Sequence, residues 1–205
     1  MMRETTPSAL PRRFAFSQAQ AVDVMAVMNV SPESFYAPLQ NVNAVVDAAA
    51  AHVAAGATIL DIGGEATNPK VDLAAGPSEA RELARVIPAV EAVCARFDVM
   101  VSVDTSTPAV MRAALAAGAA MINDQRGLAA PGAIEAVVEA EAMACLMDFP
   151  RGREPDSSTP EALMQAIIAS LSARLAACEA AGLPRTRLLI DPGFGGGHYG
   201  KSTAE

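Results

Sequence analysis

The chain has 205 residues, 52% of them hydrophobic and 19% charged, with a formal net charge of -8 from 15 Lys plus Arg against 23 Asp plus Glu. That length suits one domain with a single core, and the acidic balance removes the counterion-release term on which nucleic-acid affinity rests, so no nucleic-acid partner is expected. No run approaches the roughly 18 to 20 consecutive apolar residues of a membrane span, and Arg3, Arg12 and Arg13 are not followed by an apolar core; a soluble, cytoplasmic protein is expected.

Residues 1–20 read as an N-terminal extension and 21–205 as the domain. From Val22, short runs of Val, Ile, Leu, Met and Ala alternate with longer Ala-rich segments of helical period. In chain order the reading is strand Val22 to Met28, helix Val42 to Ala55, strand Thr58 to Ile62, helix Ser78 to Arg96 and strand Val99 to Val103. Helix Pro108 to Ala117, strand Ala120 to Ile122, helix Pro131 to Glu141, strand Ala142 to Met147, helix Pro160 to Ala181 and strand Leu188 to Ile190 follow. Pro108, Pro131 and Pro160 open their helices while Gly56, Gly118 and Gly182 close theirs, the expected start and stop asymmetry.

Near-continuous apolar strands joined by helices imply an α/β fold with a parallel sheet buried on both faces. Asn29, Asp61, Asp104, Asn123, Asp148 and Asp191 each stand at or just past a strand end. Their spacing is about 32 residues per unit, close to the roughly 31 expected where about 250 residues make eight units. Polar groups at the C-terminal ends of many successive strands meet at one mouth in a closed barrel, so the expected fold is a TIM-type (β/α)8 barrel with about six of its eight units present. The arc is expected to be incomplete at the C-terminal end, and a homodimer would cover its open edges.

Cys94, Cys145 and Cys178 form no CxxC pair and read as free, buried thiols. His52 lies in a helical run and His198 is the only other histidine, so a histidine triad or HExxH zinc site lacks its parts.

Five ordered motifs carry more than composition: NVSPESF from Asn29, DIGGEATNP over Asp61 to Pro69, VDTS with Asp104, INDQRG with Asn123 and Asp124, and DPGFG over Asp191 to Gly195. In this order they resemble the dihydropteroate synthases, pterin-binding barrel enzymes of folate synthesis, and the resemblance runs from about Val24 to the C-terminus. The residue chemistry agrees with it. A pterin presents an edge of adjacent donors and acceptors, which carboxylates and a carboxamide can meet.

The resemblance implies condensation of 6-hydroxymethyl-7,8-dihydropterin diphosphate with p-aminobenzoate. Asp104, Asn123 and Asp191 would grip the dihydropterin, with Asp104 also stabilising developing positive charge. Met147, Thr67, Pro69, Tyr199 and Lys201 complete the expected substrate-binding set, with Thr67 and Pro69 on the p-aminobenzoate side. Asn29 would offer an oxygen to Mg²⁺. Asp61, counted with Asp104 as catalytic, is expected to support the metal and the loops at 30–40 and 63–76.

The sequence also departs from the family. Gly196 to His198 read as an insertion before Tyr199, and the first loop reads YAPLQ in place of Asp-Gly-Gly. The second loop carries Ala66 and Asn68 where the family has Ser and Arg, and Asp148 replaces a histidine. The family's strand-seven lysine and strand-eight arginine and histidine have no counterpart, which points to weak or absent turnover and to an alternative, a non-catalytic pterin-binding remnant. A rival from another class is a nucleotide-binding loop: Gly195 to Ser202 satisfies GxxxxGK[ST] after a strand, but only three residues follow where a helix is required.

Overall fold

The computed structural model describes residues 22–31, 39, 41–64, 79–148 and 159–194. Six strands alternate with five α-helices: β1 Met25–Asn29, α1 Val42–Ala54, β2 Ile59–Gly63, α2 Glu79–Cys94, β3 Met100–Asp104, α3 Pro108–Ala116, β4 Met121–Asp124, α4 Ala133–Glu139, β5 Met143–Met147, α5 Pro160–Ala180 and β6 Leu188–Asp191. Every expected element is present. Five of the six strands end one or two residues past the expected C-terminal limit and β5 coincides with it, so Asn29, Asp104, Asn123 and Asp191 belong to the ladders rather than to the loops after them. Asn41 and Thr159 cap α1 and α5 by accepting from the amides of Ala44 and Ala162. One helix start differs: Pro131 does not open α4, because Gly132 adopts φ 86 as its N-cap and the helix begins at Ala133.

The strands form one sheet in the order β1-β2-β3-β4-β5-β6, each parallel to its neighbours. Because the order never reverses, right-handed crossovers carry all the helices to one face. The large core records this: Leu60, Ile62, Val101, Val103, Ile122, Ala144 and Leu146 pack there with Val45, Val86, Val90, Val110, Met111 and Val137 of α1 to α4. The other face carries a second, smaller cluster of Ile59, Met100 and Met121 with Met25, Met143 and Leu189, and among the described residues no helix residue joins it. Met121 is nonetheless 0% exposed. A sheet face with no helix on it can bury its side chains in this way by curling on itself, as in a barrel.

α5 has the length and mean hydropathy, 1.2, to cross a membrane. It is instead the helix of the fifth unit. Ile167, Leu171 and Cys178 are buried, and Arg174 donates to the Gly127 and Leu128 carbonyl oxygens at 2.7 and 2.6 Å.

Candidate active site

Alternation along each strand sorts the polar residues. Met25, Val27 and Asn29 share the inner face of β1, as do Ile59, Asp61 and Gly63 on β2 and Met100, Ser102 and Asp104 on β3. Met121 and Asn123 do so on β4, Met143, Cys145 and Met147 on β5, and Leu189 and Asp191 on β6. The inner face is therefore apolar at the N-terminal ends of the strands and oxygen-rich at the C-terminal ends. The ladder register runs Asn29, Gly63, Asp104, Asn123 across β1 to β4, and Asp191 pairs with Met147 on the far side.

Gly63 stands between two oxygens. A Cβ added there would lie 3.8 Å from Asn29 Oδ1 and 3.7 Å from Asp104 Oδ2, so the glycine keeps the space between them open. Asp104 Oδ2 also accepts from Gln125 Nε2 at 3.1 Å, a contact that the INDQRG motif holding Gln125 does not reveal by itself. Asp191 Oδ1 accepts the Gly193 amide at 2.7 Å, which ties the start of the following loop to the strand end.

Asp61 lies deeper. It is 3% exposed, and its Oδ2 accepts from Asn123 Nδ2 at 2.9 Å, across the intervening β3. Burial raises its carboxyl above the ordinary value, while the neighbouring Ser102 and Asn123 side chains act in the opposite sense. Ser102 pairs with Asp61 in the ladder, but its hydroxyl makes no well-formed hydrogen bond to it. Among the described residues, Asp61 Oδ1 and Ser102 Oγ are both buried without a well-formed hydrogen bond.

Asp124, adjacent to Asn123, points to the other face and is 0% exposed. Its two oxygens accept from Ser106 Oγ and from the amides of Arg126 and Leu128, which folds the loop carrying Gln125 back onto the sheet. Glu82 of α2 likewise accepts from the Thr105 and Thr107 hydroxyls and holds the loop that follows Asp104. Asp148, which stands where the family has a histidine, is 2% exposed. Thr67, Pro69, Tyr199, Lys201 and the Gly195 to Ser202 segment lie outside the described residues.

The pterin binding enzyme family model matches residues 25–205. The chain belongs to that family. Among its relatives, the dihydropteroate synthase of Escherichia coli K12 is 41% identical over 192 residues, covering 89% of this chain and 67% of that protein. That of Haemophilus influenzae is 38% identical over 183 residues, covering 87% and 64%. The solved dihydropteroate synthase of Coxiella burnetii in complex with pteroic acid superimposes with a TM-score of 0.81 at 45% identity, over 88% of this chain and 64% of that one. The Xanthomonas albilineans enzyme with 4-aminobenzoic acid gives 0.69 at 40%, over 88% and 61%. The chain thus spans about two thirds of the length of these relatives, and the α/β architecture is that of their TIM barrels.

The oxygen-rich rim is separate from a cavity of about 420 Å³ at the opposite ends of the strands, lined by Phe97, Val99, Leu115 and Ala120 among others. Among the described residues, the loops that follow the strands carry one positive side chain, the exposed Arg126. No group of three or more His, Cys, Asp or Glu able to hold a metal is present among them.

Proposed function

We propose that the chain binds a dihydropterin at the C-terminal rim of its barrel and carries out the dihydropteroate synthase reaction, joining 6-hydroxymethyl-7,8-dihydropterin diphosphate to p-aminobenzoate. The observation that carries this reading is the placement of Asn29, Asp104, Asn123 and Asp191 on the inner face of the sheet at the C-terminal ends of β1, β3, β4 and β6. Family membership supports it.

In this reading Asp104 and Asp191 accept from ring N–H groups and Asn123 meets the adjacent edge with its amide. The C–O bond to diphosphate breaks, the amine nitrogen of p-aminobenzoate forms a bond to the same carbon, and the nitrogen then loses a proton. Asp104, a carboxylate against the electron-poor ring, lowers the cost of the positive charge that develops as diphosphate departs. Its hydrogen bond from Gln125 holds it for that role.

Asn29 is the position for Mg²⁺. Its single amide oxygen beside Gly63 fits an ion that keeps waters and takes its remaining ligands from a diphosphate, rather than one caged by protein. Bound there, Mg²⁺ supplies charge neutralisation for the leaving diphosphate. Thr67, Pro69, Met147, Tyr199 and Lys201 complete the proposed substrate contacts.

The test is product formation by the purified chain from the two substrates with Mg²⁺, followed together with equilibrium binding of a pterin. Mg²⁺-dependent product lost on Asp104→Ala is expected. Absence of pterin binding would overturn the reading. That Arg126 is the one cation in the described rim loops favours a second reading, pterin binding without turnover, which is the outcome in which binding is retained and no product forms.

A further inference from the structure

We infer that Asp61 is a positioning residue: it sets which way round the Asn123 amide faces and does not itself touch metal or substrate. The inference rests on the pterin-binding reading of the rim and extends it to a residue beneath that rim.

Three observations lead there. First, Asp61 is 3% exposed and its polar contact is with Asn123 at 2.9 Å, so the carboxylate lies below the amide rather than beside a bound ligand. Second, the arrangement is poor as a stabilising device. Among the described residues Asp61 Oδ1 and Ser102 Oγ are buried with no well-formed hydrogen bond, and a half-satisfied buried carboxylate costs folding free energy that an apolar side chain in the same place would not. Third, burial raises the Asp61 carboxyl, consistent with a group kept in this place at a cost to stability.

A carboxamide is nearly symmetric in shape and opposite in chemistry at its two ends. Left alone, Asn123 could present either its oxygen or its nitrogen to the rim. Once ionised, the Asp61 carboxylate only accepts, so at pH above its raised titration Oδ2 draws the Nδ2 end toward itself. The Asn123 oxygen and the second N–H are then presented to a ligand in one fixed order. An amino-pyrimidinone edge is likewise a fixed order of donors and acceptors, and a reversed amide would set donor against donor. On this argument Asp61 governs recognition of the heterocycle through Asn123 alone.

A double-mutant cycle tests the inference, with 6-hydroxymethylpterin as the probe and its intrinsic fluorescence as the signal. Asp61→Ala is expected to weaken binding about tenfold in the otherwise natural chain and less than about twofold in an Asn123→Ala background. Asp61→Asn, which can still accept through its own oxygen, is expected to recover part of the loss. Equal losses in both backgrounds would overturn the inference, since a merely structural defect is blind to Asn123. The side-chain amide of Asn123, assigned by its disappearance in Asn123→Ala, gives a second readout by ¹H–¹⁵N NMR without ligand. Its protons are expected to exchange slowly with solvent and to lose that protection in Asp61→Ala, and unchanged protection would overturn the positioning role. A chain that binds no pterin yet shows the amide change would retain the Asp61 to Asn123 coupling and remove the pterin reading.

Discussion

Replacement of Gly64 by alanine tests how the loop after β2 is seated. The added Cβ would lie 2.5 Å from Val86 Cγ2 and 3.2 Å from Glu82 Cγ, both on α2. Carbon atoms pack best at about 3.5 to 4.0 Å, so α2 would have to retreat by roughly 1 Å, or Val86 would have to leave its rotamer. Val86 is 0% exposed and β-branched, which leaves it little freedom to turn aside. Overpacking of this kind costs about 1 to 3 kcal/mol. In a chain of this size each kcal/mol corresponds to roughly 2 to 4 °C in Tm. The same helix carries Glu82, whose carboxylate holds Thr105 and Thr107 next to Asp104, so the displacement should also weaken pterin binding. Urea unfolding followed by circular dichroism measures the cost. Val86→Ala, which removes the clashing methyl, should cost less in the Gly64→Ala background than alone, giving a coupling of about 0.5 kcal/mol or more. A Gly64→Ala chain as stable as the natural one, or strict additivity with Val86→Ala, would refute the close-approach argument.

Three further outcomes are expected. Asp124→Ala removes the shared acceptor of two backbone amides and the Ser106 hydroxyl, and should lower stability by about 2 to 4 kcal/mol in urea titration; a loss under about 1 kcal/mol would show that the loop is held by other contacts. Asp61 is raised from its ordinary 3.8, so the unfolded chain gives up this proton at lower pH than the folded one, and the natural chain loses stability as pH climbs from 3.8 through the raised folded value. Asp61→Asn lacks that slope; its stability relative to the natural chain should therefore improve as pH rises above the ordinary 3.8, and a constant difference would contradict the shift. The Cys145 thiol is pushed up to about 12 by burial and by the Asp191, Asp61 and Asp104 carboxylates. Alkylation at about pH 8 should accordingly be at least ~10³-fold slower in the native protein than in urea, and comparable rates would place the thiol in a different environment.

Much of this protein can be read along the chain. The six strands are short apolar runs between helices, of which α1, α3 and α5 are opened by Asn, Thr or Pro, and periodicity with end chemistry suffices to find them. Asn29, Asp104, Asn123 and Asp191 stand out because a polar residue that ends an apolar run is visible without coordinates. Harder to see is the difference between Asn123 and Asp124. They are neighbours of similar size, and the parity of the strand alone sends one to the inner face and the other into the helix side, where it folds a loop. The roles of Gln125 and Arg174 are hidden for a related reason: each acts on a residue 21 or more positions away, and no local pattern marks such a contact.

Local order, then, was determined by sequence alone, since strand, helix and cap depend on neighbours within a few residues: the alternation of β and α, the polar strand ends and the motifs of the family. Tertiary structure decided which oxygen atoms are working surface and which are support. Asp61 and Asp104 look equivalent on paper, each near the end of an apolar strand. In the fold Asp104 is part-exposed at the rim beside Gly63, while Asp61 is sealed beneath Asn123. Depth below the rim depends on how far each strand is displaced against its neighbours, and that displacement is set by the packing of the whole sheet rather than by any residue in the strand.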